Sequence, residues 1–130
     1  MMPRYRAWDK HGHKMFANDE LIIWNGNVYA NDSKKLTCNN LKGWSIDDEY
    51  LMQSTGLRDK EGTEVFEGDI LHHQIQTEYT FIVKYDKDKG RWYGDGLSRT
   101  YRIDIKKEFL SYYKVIGNIY ENQEILKEKE

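Results

Sequence analysis

Five carboxylates, Asp59, Glu61, Glu64, Glu67 and Asp69, fall within eleven positions of this chain. That is the density a divalent cation or a general acid–base pair needs, provided two or more of the side chains converge. Their neighbours point to another role. Asp59 and Glu61 lie in Asp59-Lys60-Glu61-Gly62 and Asp69 follows Gly68, contexts in which aspartate bonds nearby backbone N–H groups and shapes a turn. The oxygen-ligand and glycine offsets of an EF-hand loop are absent. The histidines come as His11-Gly12-His13 and His72-His73. Imidazole is the commonest transition-metal ligand, yet adjacent residues on a strand point to opposite faces, and the first pair sits in turn-forming sequence without a nearby cysteine. Cys38 is the sole cysteine and has no histidine beside it. No serine occupies a Gly-x-Ser-x-Gly elbow, and Gly94-Asp95-Gly96 lacks the helix signature of a phosphate-binding loop. The sequence therefore offers no catalytic residue, cofactor-binding residue or metal ligand set, and the expectation is a non-enzyme without a cofactor.

One stretch has the character of a binding surface. Between Lys84 and Lys107 eight basic residues face four aspartates, with Tyr85, Trp92, Tyr93 and Tyr101 interleaved. Small barrels bind single-stranded nucleic acid with such mixtures, cations tracking phosphates and rings stacking on bases. The candidate contact residues are Lys84, Lys87, Lys89, Arg91, Trp92, Tyr93, Arg99 and Arg102. The competing reading makes the rings core or cross-strand partners and the charges a solvated face. It is favoured because aspartates interrupt the run and the whole chain carries a formal charge of -2.

These residues need strands to hold them. Tyr5 to Trp8 and Lys14 to Phe16 flank turn chemistry and read as a hairpin. Leu21 to Trp24 and Val28 to Ala30 flank Asn25-Gly26, the dipeptide best suited to a type I′ turn. Residues 31 to 45 are polar and aperiodic and read as a surface loop, with Leu41 and Trp44 as candidate anchors. Strands follow at 50–53, 64–66, 70–75, 81–85 and 92–93, with Gly94-Asp95-Gly96 as a loop, a short helix or turn between Ile103 and Tyr113, and a strand at 115–120. Asn122 is placed to cap a last turn before a charged tail at 127–130.

At 130 residues, with 14% aromatics and short aliphatic runs, the chain suits one compact, mainly β fold. The glycine-cornered cadence after residue 50 predicts a small SH3-like barrel over 50–121, preceded by a β-hairpin subdomain at 1–49 and followed by a short turn and tail at 122–130. The two halves of the chain hold 9 basic against 10 acidic residues and 11 against 12, so neither is a nucleic-acid or membrane arm. A single cysteine fits a reducing compartment, and no segment reads as a signal peptide or approaches the ~20 apolar residues of a membrane span. A cytoplasmic protein is expected.

Three segments carry a resemblance: Arg6-Ala7-Trp8-Asp9-Lys10, the run LMQSTGLRDKEGTEVFEGDIL at 51–71, and VIGNIYEN at 115–122. Together they resemble the YopX-like proteins of phages and prophages. The resemblance implies that the central run is a signature strand–turn–strand and that GNIYEN is the closing strand before a C-terminal turn; it brings no activity with it. Ser54 stands where an aromatic is common and Gln123 where proline is common. The expected function is that of a non-catalytic phage or prophage accessory protein that binds a phage or host protein, or itself, through β surfaces. Nucleic-acid binding through 84–107 is the alternative, and a metal-dependent enzyme ranks last.

Overall fold

The structure, a computed structural model, describes residues 4–24, 27–30, 44–76, 79–97 and 102–128. Two compact units divide the chain, Met1–Gln53 and Ser54–Glu130, and both are built of antiparallel strands.

In the first unit β1 (Tyr5–Asp9) pairs with β2 (Lys14–Phe16) from Ala7↔Phe16 to Asp9↔Lys14, as the turn chemistry of residues 10–13 predicts. β3 (Leu21–Trp24) and β4 (Asn27–Ala30) pair up to Trp24↔Asn27. That register leaves two residues for the connection, the number a type I′ turn takes; Asn25 and Gly26 themselves lie outside the described residues. The predicted loop at 31–45 needs correction at its end. Trp44 to Ile46 form β5, which pairs with β4 at Val28↔Ile46. Three residues are too few for periodicity to reveal a strand, and the pairing is set by the partner. Leu41 lies outside the described residues. Ala7, Phe16, Val28 and Ile46 form the core of this unit, with Leu21, Tyr50 and Leu51 against it.

The unit boundary falls inside β6 (Leu51–Arg58). Its first residues pair with β1, Tyr5↔Gln53 to Ala7↔Leu51. Its later residues pair with β7 (Glu64–Phe66) at Ser54↔Phe66 and Arg58↔Glu64, with a register irregularity between them where Gly56 adopts φ 78°. A bulge interrupts the ladder, so its backbone groups need other partners. Two hydroxyls provide them. Ser54 Oγ accepts the Gly56 N–H at 3.0 Å and donates to Glu64 Oε2 at 2.6 Å; Thr55 Oγ1 accepts the Leu57 N–H at 3.1 Å and donates to the Val65 carbonyl at 2.8 Å.

The rest of the second unit is a five-stranded sheet. β8 (Asp69–His73), β9 (Thr80–Asp86), β10 (Arg91–Gly96) and β11 (Arg102–Asp104) succeed one another as neighbours, and β12 (Tyr113–Asn118) returns to the far side of β8. Helix α1 (Lys107–Leu110) precedes β12 and α2 (Gln123–Glu128) follows it. The helical spacing between Ile103 and Tyr113 thus yields one four-residue helix, its earlier part being the strand β11. Gly94-Asp95-Gly96 is no loop but the end of β10, paired with Val83, Ile82 and Phe81. A side chain at Gly94 would place Cβ 3.0 Å from Phe81 Cβ, so glycine serves close packing there and not a bend. Leu71, Phe81, Val83, Ile105, Leu110 and Tyr113, with Val65, make the core, each such side chain contributing about 1.5–3 kcal/mol by burial.

The signature run holds this sheet together. Asp59, 7% exposed, accepts the N–H groups of Glu61 at 2.9 Å and Thr63 at 2.8 Å on Oδ1, and that of Val115 at 2.9 Å on Oδ2. Gly68, at φ 86°, donates its N–H to the Val83 carbonyl at 2.8 Å and accepts from the Ile119 N–H at 3.0 Å. At the other end Asn118 Oδ1 accepts from Tyr120 and Glu121, while Asn122 Oδ1 accepts the Asn118 N–H at 3.1 Å. Asn122 therefore bonds backward to β12 with its side chain, and it is the Asn122 carbonyl that accepts the Ile125 N–H.

Two stability outcomes follow. Asp59→Ala should cost about 2–4 kcal/mol, because three backbone donors lose a charged acceptor in a buried place. Gly68→Val should cost more than ~1 kcal/mol, because a β-branched residue resists positive φ. Urea unfolding of each variant measures both, and unchanged midpoints would remove the architectural role assigned to the run.

Candidate functional site

The basic-aromatic stretch is split by the sheet into two faces. Residues opposite one another across antiparallel strands share a face. Arg91↔Asp86, Tyr93↔Lys84, Tyr93↔Asp104 and Asp95↔Arg102 therefore place Lys84, Arg91, Tyr93 and Arg102 on one side together with Asp86, Asp95 and Asp104. Each described cation on this face has a carboxylate. Lys84 Nζ lies 2.7 Å from Asp95, Arg91 is 2.8 Å from Asp104, and Arg102 is 3.6 Å from Asp86. Arg102 also covers the Tyr93 ring at 4.1 Å and donates to its hydroxyl at 3.1 Å. Solvent-exposed pairs of this kind contribute only ~0–1 kcal/mol each to stability, but they leave the face electrically balanced.

Trp92 lies on the opposite side. It packs against the core and meets Tyr85 edge-on at 4.9 Å between centroids. The fold thus does not bring the ring with the largest stacking area together with Lys84, Arg91 and Arg102. Lys87 and Lys89 sit exposed in the turn between β9 and β10 and have no ion pair among the described residues. Arg99 and Tyr101 lie outside the described residues.

The other candidates separate as well. His72 Nδ1 is 3.0 Å from Thr80 Oγ1 on one face of β8, while His73 stands among rings on the other. His11 and His13 are exposed in the β1–β2 turn. Asp59 and Asp69 are used by backbone donors, the latter accepting the Phe66 N–H at 2.7 Å. Among the described residues no group of three or more His, Cys, Asp or Glu side chains could hold a metal ion; Cys38 lies outside them.

What sequence reasoning missed is an aromatic cleft of roughly 460 Å³ in the second unit, bounded by His73, Gln76 and Tyr79 at the β8–β9 connection and by Glu108, Phe109 and Tyr112 around α1. Phe81, Tyr113 and Ile103 complete its lining. Phe109 stacks on Tyr113 with centroids 4.1 Å apart, and Phe81 meets both rings at 5.8–5.9 Å. The His73 ring lies parallel to Tyr112, 6.0 Å away, and edge-on to Tyr113 at 5.0 Å. Nδ1 of His73 accepts the N–H groups of Ile75 and Gln76 at 3.1 and 2.9 Å, which assigns the ring proton to Nε2. Tyr112 is 58% exposed and Glu108 is exposed beside it. The signal available in sequence was the helical spacing of Phe109, Tyr112 and Tyr113, which put three rings on one surface without showing that β8 supplies the facing wall.

The same architecture exists in solved proteins. Protein EF1440 from Enterococcus faecalis superimposes with a TM-score of 0.68 at 27% identity, over 97% of this chain and 99% of that one. YopX from Bacillus subtilis superimposes with a TM-score of 0.51 at 20% identity, over 93% and 95% of the two chains. No curated protein matches the chain. The model of the YopX protein family covers residues 4–127, and the chain belongs to that family.

The charge-balanced face predicts weak nucleic-acid binding. Fluorescence anisotropy with single-stranded oligonucleotides at about 150 mM salt, close to physiological screening, should show no micromolar complex. A micromolar or tighter complex that Lys87→Glu/Lys89→Glu abolishes would reverse the assignment in favour of the nucleic-acid interface.

Proposed function

We propose that this protein is a non-catalytic interaction module that binds another protein through the aromatic cleft of its second unit. The observation that carries the reading is the cleft itself, where buried rings form the floor and the 58% exposed Tyr112 stands at the rim. Rigid aromatic surface lined with few polar groups binds side chains with little loss of conformational entropy. The carrier of the cleft is an SH3-like curl. Four successive strands with a fifth returning beside the first, and α1 just before that fifth strand, support this. The setting we assign is a phage or prophage accessory role in the bacterial cytoplasm. No helix among the described residues is long and apolar enough to cross a membrane. Self-association through an open sheet edge belongs to the same reading, with β11 as one edge of the five-stranded sheet.

A random peptide library displayed against the immobilised protein tests it. Enriched peptides should lose about tenfold or more in affinity for Tyr112→Ala, a substitution at an exposed ring that leaves the melting transition in place. Failure to enrich any peptide, or equal binding to Tyr112→Ala, would overturn the proposal.

A further inference from the structure

The cleft has a charge preference. Among the described residues its acidic lining group is Glu108 at the rim, and Glu108 has no ion pair among them. Most of the remaining lining is aromatic, Phe109, Tyr112, Tyr113 and Tyr79 included, and the π cloud of such a ring attracts a cation lying over it. The same unit already uses that attraction where the Arg102 guanidinium lies 4.1 Å over the Tyr93 ring. An aromatic floor that takes an aliphatic stem, beneath a carboxylate that takes a positive head, fits a side chain with both parts. We infer that the cleft receives an arginine side chain of the partner protein, its guanidinium against Glu108 and the exposed Tyr112 ring and its methylenes over Phe109.

Planarity favours arginine over lysine at such a place. A guanidinium stacks on a ring while still offering N–H donors at its edge to a carboxylate, whereas an ammonium acts as a compact and more strongly hydrated point charge. A phosphate-bearing ligand is disfavoured by the same carboxylate. The inference rests on the reading of the cleft as a protein-binding site, and the experiment is chosen so that the two can fail separately.

The test uses the full chain and three probes, a blocked tripeptide with central arginine, its norleucine counterpart and a nucleoside monophosphate, each titrated while the NMR signals of the cleft rings are followed. The arginine peptide should give saturable shifts in the millimolar range. The norleucine peptide, or the arginine peptide with Glu108→Gln, should bind about threefold or more weakly, as expected for a cation–π contact at an exposed site. Added salt should weaken the arginine peptide alone. Equal or tighter binding of norleucine would overturn the cationic preference while leaving the peptide-binding cleft in place. Preferential binding of the nucleotide, or no saturable shift with arginine, would also overturn it, and the library selection then decides by itself whether the cleft binds protein.

Discussion

One buried carboxylate fixes the geometry on which the candidate site depends. Asp59 closes its own turn by accepting from Glu61 and Thr63, and with its second oxygen it holds the Val115 N–H, 56 residues further along the chain. The neighbouring Lys60 N–H donates to the Tyr113 carbonyl at 3.0 Å. These bonds lie at the start of β12, where Tyr113 forms the floor of the cleft and Tyr112 its rim. A turn that reverses the chain therefore also sets the position of two of the site's rings. Aspartate suits the place because only a short carboxylate accepts from its own turn and from a distant strand at once.

Farther along the same strand, packing replaces charge. β12 changes register against β8 between Val115 and Gly117, and Ile116 in between is 37% exposed. A Cβ at Gly117 would collide with the Asn122 side chain, which must lie close in order to accept the Asn118 N–H. Gly68 completes the arrangement by linking β9 to Ile119. The bulge, the glycine and the two asparagines are thus mutually dependent, and together they give the closing segment GNIYEN an architectural role.

Much of this was legible from local residues. Asn25-Gly26 implied a hairpin whose flanking strands are present, Asp59 to Gly62 and Gly68-Asp69 implied turns that glycine at positive φ now fills, and adjacent histidines were rightly placed on opposite faces. The failures share a cause, since each depended on a partner strand. Trp44 to Ile46 become a strand because β4 offers an edge. Gly94-Asp95-Gly96 looks like a loop in one dimension, yet Phe81 needs the space that Gly94 leaves. Ser54, where an aromatic is common in the resemblance, bonds Glu64 and Gly56 across a bulge that no local pattern announces.

Strand geometry sorts residues 84–104 between two faces. In sequence the cations and rings alternate and look like one surface. With a period of two, a strand sends alternate residues to opposite faces, so Lys84, Arg91 and Arg102 go one way with their aspartates and Trp92 goes the other. Among the described residues each cation of the first face is matched by an aspartate, which weakens the field that would gather phosphates there. The cleft follows the opposite rule, with rings from β8, β9, α1 and β12 converging beside a carboxylate that has no ion pair among the described residues. Among the described residues, a face whose charges are matched has little electrostatic reason to recruit a charged partner, whereas an aromatic surface beside an unmatched carboxylate does, and on that contrast the cleft is the stronger candidate for recognition.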